Sequence, residues 1–196
     1  MRRNRRRRST LNFGRNRKKF NMKKFQYVMT WALQITGVIL AAYLCVAGFG
    51  MRTTVVGQAM SDTLENGNQV LMNKFLYVIS NPKADDVVVF LPNGNEKSHY
   101  YVRRVIGVPG DRVQIKDGAV YINGELYNEK IEVAAMEETG IARDEILLGE
   151  DEYFVLGDNR NNSEDSRYAN IGNIKKDYIV GKAWFYIGAE SSGFVH

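Results

Sequence analysis

The hydrophobic pattern of the chain begins with one long run that carries no charge. No residue from Phe25 to Met51 is charged, and residues 28–50 read VMTWALQITGVILAAYLCVAGFG. At about 1.5 Å per residue, a helix of this length spans a hydrocarbon core of roughly 30 Å. A cleaved signal peptide has a shorter apolar segment of about 7–15 residues, and a buried core helix rarely lacks charge over such a length. The run therefore predicts a transmembrane helix over residues 25–51.

After Arg52 the pattern changes to alternation and short apolar runs, which are typical of β-strands. Asp117-Gly118 and Asn123-Gly124 are hairpin signals, because the favoured tight turns need residues with positive φ. Residues 128–150 are polar and acidic with weak helical periodicity, and we interpret them as an insertion or loop. The body over residues 52–196 is therefore predicted to be mainly antiparallel β. Its clearest predicted strands are at residues 87–90, 100–106, 113–115, 120–122, 153–156 and 183–187.

The charge is distributed very unevenly along the chain. Residues 1–25 contain 12 of the 27 lysine and arginine residues, and the first acidic residue is Asp62. Residues 26–196 keep 15 basic and 22 acidic residues, a net charge of −7. The basic tail, residues 1–24, predicts a cytoplasmic N-terminus and a β body outside the cytoplasm. Read alone the tail suits a nucleic-acid arm, but it directly precedes an apolar span. We therefore expect membrane lipid as a partner and no nucleic acid.

The composition excludes several classes of protein and site. With 44% apolar and 25% charged residues, the chain is neither wholly disordered nor collagen-like. The single cysteine, Cys45, rules out an intramolecular disulfide and a cysteine-based zinc site. His99 and His196 are the only histidines, so a histidine-rich metal site is not expected. We predict neither a metal nor a cofactor.

Three segments of the body combine glycine and polar residues in a distinctive order. Residues 57–64 read GQAMSDTL, residues 101–111 read YVRRVIGVPGD, and residues 157–167 read GDNRNNSEDSR. In this order, behind an N-terminal anchor, they resemble the bacterial type I signal peptidases, whose segments run GxSMxPTL, YxKRVxGxPGD and GDNxxNSxDSR. The resemblance covers roughly residues 25–187.

The resemblance implies a membrane-anchored serine endopeptidase with an all-β body. In that family a serine attacks the peptide bond after an Ala-x-Ala-like sequence, and a lysine of lowered pKa is the general base. The exported preprotein lies beside the site as an added strand. Carried over to this chain, the family pattern makes Ser163, Asp165 and Arg167 the supporting residues of the active-site wall. The expected substrate-binding residues are Gly57, Gln58, Met60, Tyr101 and Val102.

The sequence departs from the family at the positions that carry the chemistry. Ala59 stands at the nucleophile position, Arg103 at the general-base position, and Asp62 in place of a proline. Alanine has no attacking atom, and arginine stays protonated with no lone pair to accept a proton. Loss of such a dyad costs about 10⁶ in rate where it has been measured. The chain is either a family member that natively lacks the dyad, or a true signal peptidase I in which Ala59 replaces the native serine.

Two expectations concern the neighbours of the lost dyad. Ser61 lies two residues from Ala59, about 6–7 Å along an extended chain, which is too far for the same attack. Arginine cannot lose its charge when buried, so we predict an ion pair between Asp62 and Arg103 across the former active site. In the alternative, Asp62 faces solvent and Arg103 reaches the surface.

The sequence thus predicts a single-pass membrane protein that binds exported preproteins or pilin-like peptides without cutting them. The pilin-like partner is an analogy with dyad-lacking relatives in the pilus assembly of Gram-positive bacteria. The enzyme alternative is a true signal peptidase I that cleaves signal peptides after Ala-x-Ala. A third alternative is a membrane-tethered nucleic-acid binder that uses the basic tail.

Overall fold

The computed structural model describes residues 21–49 and 51–195. Most of the predicted basic tail, residues 1–20, lies outside the described residues. One long helix, α1 (Met22–Phe49), opens the described chain and begins three residues before the predicted span of 25–51. The first turn of the helix includes Lys23 and Lys24, because the helix propensity of lysine is similar to that of leucine and methionine.

Helix α1 has no polar face. Its residues are exposed from Met22 to Ala47, and over that length it is apolar enough to cross a membrane. Tyr27 and Trp31 pack edge to face near its start, with ring centroids 6.1 Å apart. A helix that is apolar on all sides needs an apolar environment around it, which is what a lipid bilayer provides.

The body contains a large antiparallel sheet of eight strands. Its strands are β1 (Met51–Thr54), β2 (Gln69–Asn73), β3 (Val87–Phe90), β4 (Tyr101–Gly107), β9 (Glu152–Leu156), β10 (Ile174–Lys175), β11 (Ile179–Ile187) and β12 (Ser192–Phe194). They are ordered β1-β2-β11-β3-β4-β9-β10, and β12 pairs with β11. A single-turn helix, α2 (Leu76–Ile79), follows β2. The strands predicted at residues 87–90, 100–106, 153–156 and 183–187 all belong to this sheet.

A second, smaller sheet combines two consecutive hairpins with one short strand from later in the chain. It contains β5 (Arg112–Lys116), β6 (Ala119–Ile122), β7 (Glu125–Leu126) and β8 (Ile146–Leu147), ordered β7-β6-β5-β8. The Asp117-Gly118 turn joins β5 to β6, and both its residues have positive φ, 50° and 76°. The predicted hairpin is therefore confirmed. The segment interpreted as an insertion supplies a 3₁₀ helix at Gly140–Arg143 and also β8, which was too short to predict.

Strand β4 lies at the centre of the body, between β3 and β9. Its residues from Val102 to Gly107 are buried, as expected for a strand covered on both faces. Val102, Ile106 and Val105 each belong to a different one of three apolar core clusters. The body is thus mainly antiparallel β behind one N-terminal apolar helix, which confirms the predicted fold class.

Removing the side chain of Phe154 tests the packing between the two sheets. Phe154 is fully buried on β9 and packs in one cluster with Val113 of β5 and Leu148. We expect Phe154→Ala to lower the free energy of unfolding by about 3–5 kcal/mol, because it leaves a cavity between the sheets. Urea unfolding of the full chain in detergent, followed by tryptophan fluorescence, measures this.

Leu147→Ala is the matched control for Phe154→Ala. Leu147 is 59% exposed, so its truncation is expected to change the free energy of unfolding by less than about 0.5 kcal/mol. Equal destabilisation by the two substitutions would show that Phe154 does not join the sheets.

Candidate functional site

Strand β4 presents two adjacent arginines to opposite faces of the large sheet. Arg103 and Arg104 are 6% and 1% exposed, and successive strand residues point to opposite faces. The Arg104 guanidinium donates to both carboxylate oxygens of Asp158, over 2.8 and 2.7 Å. Burial lowers the pKa of Arg104, but the hydrogen bonds and charge of Asp158 outweigh it and leave that pKa raised. The result is a buried bidentate ion pair, a strong arrangement for this pair of groups.

Arg103 is bound to neutral carbonyl groups instead. Its Nε and Nη2 donate to the carbonyl oxygen of Glu164 over 2.9 and 2.6 Å, and its Nη1 donates to that of Val102 over 2.7 Å. The guanidinium also lies over the Tyr101 ring, 5.1 Å from the centroid. Burial lowers the pKa of Arg103, with the charge of Asp165 opposing it. A guanidinium nevertheless stays protonated in a protein, so this side chain is a donor and not a base.

The predicted ion pair between Asp62 and Arg103 is wrong. Asp62 is exposed in a tight turn, in which the Ser61 N–H donates to Gln58 and the Thr63 N–H to Met60. Within residues 21–49 and 51–195, no carboxylate lies in ion-pair contact with Arg103. The carbonyl of Glu164 takes the place expected for Asp62, and Arg103 remains buried although Asp62 faces solvent.

The first and third motif segments are joined at Ala59. The Ala59 carbonyl oxygen accepts the N–H of Asn159 over 3.1 Å, and the Ser61 hydroxyl accepts from the Asn159 side-chain amide over 2.9 Å. Thr63 donates to Asp158 over 2.6 Å. These bonds fix the turn that carries the nucleophile position. The Ser61 hydroxyl meets an amide rather than a base, so it does not replace the missing nucleophile.

Gly157 makes a close approach between the two segments possible. A Cβ at this position would collide with the Ser163 hydroxyl and would lie 2.5 Å from the Ala59 carbonyl oxygen. The Gly157 N–H donates to Asp165 over 3.1 Å. Glycine is therefore required here, because any side chain would separate the Ala59 turn from the wall behind it.

The third segment forms a rigid wall around a second buried ion pair. Arg167 donates from Nε and Nη2 to the two carboxylate oxygens of Asp165, over 2.8 and 2.9 Å. It also donates to the carbonyl oxygens of Arg160 and Glu138, over 2.6 and 3.1 Å. Ser166 and Val155 exchange hydrogen bonds through the Ser166 hydroxyl and backbone. Asp165 and Arg167 thus form a buried ion pair next to Gly157 and Ser163, and their supporting role in the site stays a prediction.

Ser163 has a buried hydroxyl that forms no hydrogen bond with the described residues. The residue is 8% exposed and adjoins Gly157. The resemblance gives this serine the role of holding the general-base lysine. Here the side chain at position 103 turns to Glu164 instead, which leaves the hydroxyl without that partner.

A cleft of about 290 Å³ lies beside the Ala59 turn. Five of the residues predicted from the motifs line it: Gly57, Gln58, Ala59, Tyr101 and Arg103. Met60 and Val102, which were predicted to bind substrate, do not. They are 1% and 3% exposed and pack together in the apolar core, because their side chains point away from the cleft.

Several residues of the site were not predicted from the sequence. Asp158 is part of the third motif, yet nothing in the motif showed that it pairs with Arg104. Glu164 contributes both its carbonyl oxygen, which accepts from Arg103, and its carboxylate, which accepts from the Tyr101 hydroxyl over 3.1 Å. Glu129, in the predicted insertion, forms a bidentate pair with Arg160, and no local signal indicates it. Among the described residues, no group of three or more His, Cys, Asp or Glu side chains is placed to bind a metal.

Comparisons with known proteins show the family to which the chain belongs. The family model described as signal peptidase, peptidase S26, matches residues 28–187. This chain belongs to the signal peptidase family. Signal peptidase I T of Bacillus subtilis (strain 168) is 35% identical over 178 residues, which cover 87% of this chain and 90% of that protein. Signal peptidase I of Bacillus caldolyticus is 39% identical over 142 residues, covering 67% and 75%.

A solved structure of a signal peptidase I from Enterococcus faecalis V583 is also similar. The sequence identity is 30% and the TM-score is 0.41, and the match covers 53% of this chain and 97% of the Enterococcus faecalis chain. The family match includes all three motif segments, so the predicted family membership is confirmed. The roles of individual site residues stay predictions.

Asp158→Asn tests whether the pair with Arg104 stabilises the site. The substitution leaves a buried guanidinium without its counter-charge, and we expect it to lower the free energy of unfolding by about 3–5 kcal/mol. The control is Glu145→Gln, which breaks the exposed pair with Arg112 and is expected to cost about 0–1 kcal/mol. Thermal and urea unfolding of the full chain measure both. A cost for Asp158→Asn no larger than that of the control contradicts the assignment.

Proposed function

We propose that this chain is a membrane-anchored signal peptidase homologue that binds exported preproteins beside Ala59 and does not cleave them. The observation that carries the proposal is the chemistry of the two dyad positions. Ala59 offers no nucleophilic atom, and the Arg103 guanidinium donates to carbonyl oxygens where a base would have to accept a proton. The cleft beside Ala59 and the Asp165–Arg167 ion pair are present, which supports a binding role.

The cleft is suited to an extended peptide. Gln58 and Tyr101 lie on its rim, and the Gln58 side chain accepts from Asn162 over 3.0 Å. In strand addition, main-chain hydrogen bonds supply affinity, and pockets for alternate side chains supply specificity. A rigid wall favours such binding, since less conformational entropy is lost when the partner is already ordered.

The alternative is a true signal peptidase I in which Ala59 replaces the native serine. Restoring a serine would not by itself complete that enzyme, because position 103 would still lack a base. Arg103 also forms three hydrogen bonds and stacks on Tyr101, which indicates that the surroundings accommodate arginine. These contacts support loss of the dyad as a native property of the chain.

The partners follow from the family and the proposed topology. The helix α1 anchors the chain, the basic tail stays in the cytoplasm, and the body faces the compartment in which exported polypeptides emerge. Preproteins with an Ala-x-Ala sequence are the first candidates. Pilin-like peptides are the second, and parallel binding assays with both distinguish them.

We expect no cleavage of an Ala-x-Ala preprotein by the chain as it stands. Ala59→Ser alone is expected to recover little activity, because Arg103 cannot take the proton. Ala59→Ser combined with Arg103→Lys is expected to recover cleavage, since the Ser163 hydroxyl is free to hold a lysine. Gel analysis of the preprotein with the full chain in detergent measures cleavage, and a pull-down measures binding separately.

Ser61→Ala is the control for a hidden nucleophile. Robust turnover by the unmodified chain would overturn the proposal, and its loss on Ser61→Ala would identify Ser61 as the attacking residue. Absence of binding to every preprotein tested would contradict the binding role.

The proposed topology predicts which part of the chain a protease reaches. Protease added to cells without a wall is expected to digest the body after Met51, because the positive charges before the helix keep the N-terminus inside. Immunoblots against tags at the two ends follow the fragments, and a cytoplasmic protein that stays intact controls for leakage. Full protection of the body would mean that exported peptides never meet the cleft.

A further inference from the structure

One buried arginine of the site forms no ion pair with a described residue. Four arginines of the site are buried: Arg103, Arg104, Arg160 and Arg167. Three of them form ion pairs: Arg104 pairs with Asp158, Arg160 with Glu129 and Arg167 with Asp165. Arg103 is the exception, since within the described part of the chain its bonds go only to carbonyl oxygens. A buried cation is stabilised by an anion far more than by neutral acceptors alone.

The guanidinium of Arg103 has unused hydrogen-bonding capacity. Its bonds to the Glu164 and Val102 carbonyls engage Nε and one N–H on each terminal nitrogen, three of its five N–H groups. The side chain also lines the cleft beside Ala59. One N–H on each terminal nitrogen is left, and a hydrogen bond from a guanidinium to a carboxylate is stronger than one to a neutral acceptor.

Position 59 provides room beside this cation. Alanine lacks the hydroxyl that a serine would place there, and Ala59 and Arg103 line the same cleft. In the family, the bound peptide lies beside the site as an added strand, and the serine attacks the carbonyl carbon of the peptide residue before the cleavage point. In this chain, the same carbonyl carbon of a bound peptide would lie next to position 59. A peptide that ends at that residue carries a carboxylate at this place. The carboxylate has two oxygen atoms on the carbon that carries one oxygen atom in an intact peptide bond.

Among the described residues that line the cleft, Glu164 is the acidic one, and its carboxylate is already engaged. One oxygen accepts from the Tyr101 hydroxyl over 3.1 Å, and the other accepts from the Asn170 side-chain amide over 2.8 Å. These bonds direct its charge toward Tyr101 and Asn170. The Arg103 donors therefore keep their capacity for an anion from outside the chain.

We propose that the cleft binds the free C-terminal carboxylate of an extended peptide, with Arg103 as the residue that recognises it. This inference rests on the proposed function, and it adds the chemical group of the peptide that the cleft recognises. The preferred ligand is a peptide already cut after Ala-x-Ala, and an intact preprotein binds the same cleft more weakly. In this chain the former base position has become a binding position for the product end of the peptide.

The proposal is tested by the binding of three peptides to the full chain in detergent at pH 7. The three peptides have the same sequence up to and including the Ala-x-Ala. The first ends in Ala-x-Ala with a free carboxylate, the second has the same end as a carboxamide, and the third continues beyond the Ala-x-Ala. Fluorescence anisotropy of the N-terminally labelled peptides gives each dissociation constant. We expect the free acid to bind at least about tenfold more tightly than the amide or the longer peptide, as for a charge-assisted hydrogen bond.

Two substitutions locate the preference in the molecule. Arg103→Gln is expected to make the acid and the amide bind equally, and Arg103→Lys to keep part of the difference. The matched control is Arg112→Gln, which removes the same charge from an exposed position on the second sheet and is expected to leave the preference unchanged. Thermal unfolding checks that each variant folds, and the comparison of acid and amide on the unmodified chain needs no variant.

Equal binding of all three peptides to the unmodified chain overturns this inference and leaves the proposed function standing. An acid preference that persists in Arg103→Gln also overturns it, since another residue must then carry the recognition. If none of the three peptides binds, the inference and the proposed function both fail.

Discussion

The buried ion pair between Arg104 and Asp158 connects all three segments from which the site is built. Arg104 belongs to the central strand β4, Asp158 to the loop after β9, and Thr63, which donates to Asp158, to the turn that carries Ala59. Two ions taken out of water are stable only if they satisfy one another, so the three segments are held to one geometry. The cleft beside Ala59 exists because this geometry is fixed.

The ion pair behind the cleft does not involve the two dyad positions, 59 and 103. The wall residues Asp165 and Arg167 are buried and mutually paired, and either one without the other would leave an uncompensated charge. Positions 59 and 103 line the cleft and take no part in this ion pair. Ala59 accepts the Asn159 N–H at its carbonyl oxygen, and Arg103 donates to the carbonyl oxygens of Glu164 and Val102. The ion pair of the wall therefore forms without a serine at position 59 or a lysine at position 103.

The segment interpreted as an insertion is also bonded to the site. Glu129 pairs with Arg160, whose Nε donates to the Gly157 carbonyl oxygen over 3.0 Å. Asn161 donates to Ala135 and accepts from the Glu137 N–H. These bonds tie the insertion to the third motif segment. The segment interpreted as a loop thus acts as an outer support of the cleft wall.

The sequence by itself determined the apolar helix, the strands rich in β-branched residues and the Asp117-Gly118 hairpin, because these depend on local pattern and local backbone preference. Ordered motifs were enough to identify the family and the two altered positions. Only the tertiary structure decided which charges meet. Asp62 was expected to pair with Arg103, yet it faces solvent in a turn, and Asp158 and Glu129 reach their arginines across long stretches of chain. Met60 and Val102 likewise turned out to be core residues. Charge pairing and side-chain direction depend on how distant strands are placed, and no local pattern contains that information.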